Sequence, residues 1–203
     1  CIAPDHLGCG LSERSRDRSF RAIERVDHLE EFLSKLGVDR FSIVMHDWGG
    51  SIGSMLATRN PDRIERLVYL NTTLTEIESL PELIKRATTP VVGKFLTMYS
   101  KSFLKAMTEL GSVKRLSASV KRGFLYPYKT VADRRAIWEF VADIPFLATH
   151  PSTPDMQLLA EKLPLLAQKP VQIVWGLKDP CFHKEMLSKV ARHFPHAKVL
   201  ELS

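Results

Sequence analysis

The sequence predicts an α/β fold in which a mostly parallel sheet, flanked by helices, is interrupted by a helical cap. Three observations carry this. Short apolar runs alternate with helix-period stretches over residues 1–73, that alternation lapses over 74–150, and it resumes over 151–203. The expected organisation is a sheet domain in two parts, 1–73 and 151–203, with a cap inserted at 74–150. A chain of 203 residues has room for one such domain with a sizeable core.

The elements follow in order. Ile23, Val26, Leu29, Leu33 and Leu36 recur at helical spacing over 21–36, and Gly37 stops that helix. Residues 41–46 are short and mostly apolar, as a buried strand requires. A helix over 51–60 is closed by Pro61, and 64–70 reads as the next strand. Strand, helix and strand with short links form a βαβ unit and hence a parallel pair. In the insertion, Val92, Phe95, Leu96, Tyr99, Phe103, Met107 and Leu110 make one apolar helical face, opposed by Lys94, Lys101 and Lys105. A second helix is expected over 131–141. Strand 171–175, a helix near 184–193 and strand 198–202 complete the pattern.

Composition narrows the function. At 44% apolar and 26% charged residues the chain is ordinary globular protein, which excludes disorder and fibrous repeats. No apolar run approaches the ~18 residues of a membrane span, so stable membrane insertion is not expected. The net charge of +6 concentrates in the insertion, where twelve Lys/Arg face seven Asp/Glu. No nucleic-acid reader motif accompanies it, so it reads as a solvated basic face and nucleic acid is not an expected partner. Cys1, Cys9 and Cys181 are odd in number and lack metal-ligand spacing. No metal or other cofactor is implied, and the expected compartment is the reducing cytoplasm.

The chemistry is concentrated in Val44-Met-His-Asp-Trp-Gly-Gly-Ser-Ile-Gly53, which runs from strand straight into helix through small residues. That is the setting of a nucleophile elbow, in which a strained turn lifts one side chain above the sheet. Aligned on Gly49, the raised position is Asp47; Ser51 and Ser54 fall inside the helix. An aspartate is ionised at neutral pH and needs no base for activation. On a saturated carbon it forms an ester that water can cleave, whereas on a carboxylic ester it would form a high-energy anhydride. Residue type therefore favours attack on sp³ carbon. The alternative role for Asp47 is a plain cap of the following helix.

Three segments together resemble the α/β-hydrolases of the haloalkane dehalogenase and epoxide hydrolase group: Pro4-Asp-His-Leu-Gly-Cys-Gly-Leu-Ser12, His46-Asp-Trp-Gly-Gly50 and Trp175-Gly-Leu-Lys-Asp-Pro180. The resemblance spans nearly the whole chain. It implies Asp47 as nucleophile, Asp179 as the acid that orients a catalytic histidine, and Trp48 as oxyanion and halide donor through its backbone and indole N–H groups. The alternative acid position holds Asn71 and Thr72. Asp179 read without the resemblance is a turn residue before Pro180. Chain order in this fold is nucleophile, acid, histidine. His6, His28, His46, His150, His183, His193 and His196 all precede the end of the last strand, and His46 is expected to point away from Asp47. The catalytic histidine and the first strands are thus expected outside these 203 residues, as in a piece of a longer enzyme.

Within the group, the expected activity is that of a haloalkane dehalogenase-like hydrolase acting on a hydrophobic small molecule. Met45 stands where epoxide hydrolases usually have glycine, although Tyr99, Tyr126 and Tyr128 are available as epoxide acids. Gly123-Phe-Leu-Tyr-Pro-Tyr128 and Phe140-Val-Ala-Asp-Ile-Pro145 resemble most closely the branch containing the β-lactone decarboxylases of long-chain olefin synthesis, which is the competing activity. A non-catalytic binding role with the basic cap as contact surface would require neither Asp47 nor Asp179. Gly8-Cys-Gly10 could be a phosphate turn, yet it lacks Walker spacing and a lysine.

Overall fold

The computed structural model describes the chain apart from residues 16–18, 76 and 78. In chain order the elements are α1 (Ala22–Lys35), β1 (Phe41–His46), α2 (Trp48–Arg59), β2 (Ile64–Leu70), α3 (Glu82–Ala87), α4 (Val92–Lys94), α5 (Ser102–Leu110), α6 (Ala118–Leu125), α7 (Arg135–Ala142), α8 (Thr153–Lys162), β3 (Val171–Gly176), α9 (Lys184–Arg192) and β4 (Lys198–Leu202). They group into a helical unit, Cys1–Arg21 with Leu80–Ile144, and a sheet unit, Ala22–Ser79 with Pro145–Ser203. This grouping differs from the division read in the sequence chiefly in its first 21 residues, which associate with the helices.

In the sheet unit, four parallel strands lie in the order β1-β2-β3-β4. The register sets Met45 beside Tyr69, Tyr69 beside Ile173, and Ile173 beside Val199. Met45, Leu67, Tyr69, Val171, Ile173 and Trp175 share one face by strand alternation and are all buried. α2 packs there, with the Ser54 and Tyr69 hydroxyls 2.9 Å apart. Phe194, just after α9, stacks on Tyr69 with ring centroids 5.1 Å apart. The opposite face exposes Ser42, Val44, His46, Arg66 and Gln172. β1, expected as a buried strand, has one face open within these 203 residues. Of its six residues only Met45 is buried, and Val44 is 69% exposed.

The helical unit has its own core of Ala87, Phe103 and Val141, packed by Met107, Ile137 and Ile144. The single apolar helix expected from Val92 to Leu110 is broken in two. α4 passes into a π-helical turn over Phe95–Tyr99, and Ser100 turns extended at φ −94°, ψ 157°. The Ser100 hydroxyl then accepts the Ser102 N–H at 3.0 Å and starts α5. Phe95, Tyr99 and Leu110 consequently lie exposed while Phe103 is buried. Arg134 is buried and donates to the carbonyls of Met98, Tyr128 and Lys129 at 2.7–3.1 Å. Arg14 holds the first residues to this unit by donating to the Gly10 and Pro127 carbonyls.

Candidate active site

β1 ends at His46 and α2 starts at Trp48, so a single residue makes the turn. That residue, Asp47, has φ 53° and ψ −127°, and it is the one non-glycine of positive φ among the described residues. Such a conformation costs on the order of 1–3 kcal/mol and persists only when its surroundings enforce it. Here the enforcement is visible. The Asp47 N–H donates to the Asn71 carbonyl at 3.0 Å, and the Asp47 carbonyl accepts from the Gly50 N–H at 3.0 Å. The same carbonyl accepts from the Thr72 hydroxyl at 2.6 Å. A side chain at Gly50 would place its Cβ 1.9 Å from the Thr72 Oγ1, and one at Gly53 would meet the Met45 sulfur at 2.6 Å. The small residues of the motif are thus clearance for a helix seated close against β1 and the end of β2.

The Asp47 side chain makes no capping hydrogen bond to α2, which removes the capping role as its explanation. Solvent reaches the residue. Desolvation by the surrounding protein nevertheless pushes the carboxyl pKa up; His46 and a hydrogen bond from the Trp48 backbone N–H oppose this, and the Asp179 charge adds to it. His46, expected to point away from Asp47, is exposed at the end of β1.

Asp179 sits in the loop after β3. Its Oδ1 accepts the Cys181 and Phe182 N–H groups at 2.7 and 2.9 Å, which fixes the carboxylate in a turn. The loop is anchored from below by the buried Trp175, whose indole N–H donates to the Phe182 carbonyl at 2.8 Å. Burial, then the charges of Asp179 and Asp47, push the Cys181 thiol up to about 11. A thiol so placed is protonated at neutral pH and is no competing nucleophile.

In the sequence Asn71 stands out only as a position lacking an acid. Its side chain donates to the Gly176 carbonyl at 2.9 Å and accepts the Gly176 N–H at 2.7 Å, while its own carbonyl holds the Asp47 N–H. One buried residue at the end of β2 thus ties the elbow to the start of the acid loop. Asn71→Ala is expected to destabilise the fold by about 2–3 kcal/mol, since it strands two backbone groups of Gly176. A urea midpoint unchanged by the substitution would contradict this.

The other sequence candidates go elsewhere. His150 Nδ1 accepts the Ser152 N–H at 3.1 Å, and His183 Nδ1 lies 2.6 Å from Glu185. His193 packs edge-on against Phe194, and burial lowers its pKa. Within the helical unit, His6 packs edge-on against Phe140. The Tyr128 hydroxyl accepts the Gly10 N–H at 3.0 Å, and Tyr126 lies under Lys129. The Gly8–Gly10 turn is filled by Asp5, whose carboxylate accepts the Leu11 N–H at 2.9 Å, leaving no empty phosphate cradle.

Parallel strands thus deliver Asp47 and the Asp179 loop to the carboxyl end of one sheet, where open α/β sheets place their ligands. A family model described as alpha/beta hydrolase fold matches residues 1–203, and the chain belongs to that family. Its relatives include β-lactone decarboxylases and haloalkane dehalogenases. The chain is 37% identical over its full length to the cis-3-alkyl-4-alkyloxetan-2-one decarboxylase of Shewanella oneidensis, of which it spans 66%. It is 31% identical to the Xanthomonas campestris decarboxylase of the same name, over 98% of this chain and 70% of that protein. Haloalkane dehalogenase 2 of Mycobacterium tuberculosis is 29% identical over 100% of this chain and 70% of its own length. Among solved structures, the haloalkane dehalogenase of Bradyrhizobium elkani superposes with a TM-score of 0.87 at 22% identity, covering 100% of this chain and 72% of that one, which establishes the shared fold.

Proposed function

We propose that Asp47 is a nucleophile toward sp³ carbon and that the substrate is a β-lactone carrying two alkyl chains, opened through an aspartyl ester. The observation that carries the nucleophile is the enforced turn at Asp47, whose backbone is fully engaged while its carboxylate is left out of any cap. The choice of lactone rests on the two decarboxylase relatives at 37% and 31% identity.

The electrons balance without added reagent. An Asp47 carboxylate oxygen attacks the ring carbon that bears both alkyl chain and ring oxygen. That C–O bond breaks, and its pair leaves on the freed carboxylate. The carboxylate then departs as CO₂, the C–C pair becomes the alkene, and the C–O bond to Asp47 breaks to regenerate the aspartate. Inversion at the first step followed by anti loss of CO₂ keeps the two alkyl groups cis. The Trp48 backbone N–H lowers the carboxyl pKa of Asp47, and it is proposed to stabilise charge there as the ester forms and collapses. Asp179, held rigidly by two backbone N–H groups, is proposed as the acid that orients a histidine base.

Dehalogenation is the second reading, favoured by the 29% relative. It differs in one respect: halide leaves first, and water must then attack the ester carbonyl of Asp47. Single turnover in ¹⁸O-water separates the two. With a dialkyl β-lactone, CO₂ release without label in the Asp47 peptide is expected. Label in that peptide with a bromoalkane, together with inert lactone, would overturn the decarboxylase reading and leave the nucleophile standing.

A further inference from the structure

Between Glu109 and Asp133 the chain carries five basic residues, Lys114, Arg115, Lys121, Arg122 and Lys129, and no acidic one. None of the residues 111–126 is buried, and α6, which lies within this stretch, contributes nothing to the core. The run is nevertheless rich in large apolar side chains: Val113 is 71% exposed, Phe124 60% and Tyr126 62%. Val120 and Phe124 stand one turn apart on the same side of α6. The helix is preformed, because Ser117 accepts the Val120 N–H and caps it. Lys121 is paired with Glu109 at the border of the stretch, and Lys129 lies 4.2 Å over the Tyr126 ring. Lys114, Arg115 and Arg122 are exposed.

A merely solvated helix mixes charge signs and hides its aromatics. On α6 Arg122 stands opposite Val120 and Phe124, so cationic and apolar faces are separated, which is the pattern of a segment that lies in a lipid interface. No helix in the described residues is long and apolar enough to cross a membrane, so the contact would be peripheral. We propose that this face of the helical unit docks on a bilayer rich in anionic lipid. Phe124, Val120 and Val113 enter the boundary between headgroups and acyl chains, and Lys114, Arg115 and Arg122 lie against lipid phosphates. The proposal is independent of the catalytic reading, since it uses none of the sheet unit.

The test is flotation of the protein with phosphatidylcholine vesicles, with and without about one-third phosphatidylglycerol. Each cation near such a surface is worth roughly five-fold in partition, so the combined change Lys114→Gln, Arg115→Gln, Arg122→Gln is expected to lower binding about a hundred-fold. Phe124→Ser is expected to lower it by about ten-fold or more through lost apolar burial, with an unchanged circular dichroism spectrum. Raising salt toward ~1 M should release the protein from the anionic vesicles. Equal binding to pure phosphatidylcholine, or no loss with the triple variant, overturns the proposal. So does binding to polyglutamate or self-association without vesicle flotation, which would assign the face to an acidic protein or to a second copy.

Discussion

Asp47→Ala is expected to lower kcat by about 10⁴-fold or more, the scale seen when a nucleophile is removed from a site whose binding groups remain. The same substitution should abolish any substrate-derived mass on the peptide containing residue 47. Normal turnover by the alanine variant would exclude the mechanism. The pH dependence follows from the carboxyl's surroundings. In the proposed mechanism only the ionised form attacks, and desolvation holds its pKa above the ordinary 3.8, so activity should fall on acidification at a higher pH than for an ordinary aspartate. The stability sign is the reverse. Folding favours the protonated form, so this contribution is present below the unfolded pKa and is lost as pH rises through the folded one. At neutral pH the charged Asp47 therefore weighs against the fold, and Asp47→Asn, neutral and tolerant of positive φ, is expected to melt higher while remaining inactive.

Much of the sheet unit was legible because its signals are local. The spacing from Ile23 to Leu36, the stop at Gly37 and the apolar run at Phe41 each fix an element without reference to distant residues. The elbow was legible for the same reason: a strand that meets a helix across one residue, with glycines where the backbones crowd, leaves a pattern in consecutive positions. Asn71 left none. Its amide reaches Gly176, 105 residues further along the chain, and a hydrogen bond across that span has no periodicity to betray it. The interruption at Ser100 was hidden differently, since Val92 to Leu110 keeps helical spacing through the break, and it is the Ser100 hydroxyl that starts a new helix there.

Trp48→Phe is expected to cut kcat by about 10²–10³, the cost of one lost transition-state donor. The substitution separates two functions that sequence reasoning assigned to one residue. The backbone N–H that donates to Asp47 is retained by phenylalanine, so the elbow's hold on its own carboxylate is undisturbed. What is lost is the indole N–H, the group expected to stabilise a leaving halide or carboxylate. Trp48 is also half-buried at the first position of α2, and a smaller ring there could lower activity merely by loosening the helix start. The two causes part in the kinetics. Loss of a leaving-group donor slows formation of the aspartyl ester in a rapid-quench measurement and leaves the melting temperature close to that of the parent. Loosened packing lowers the melting temperature while the rate of ester formation per folded molecule stays the same. A variant that forms the ester at the parent rate would return Trp48 to a packing role and leave the Asp47 mechanism without an indole donor.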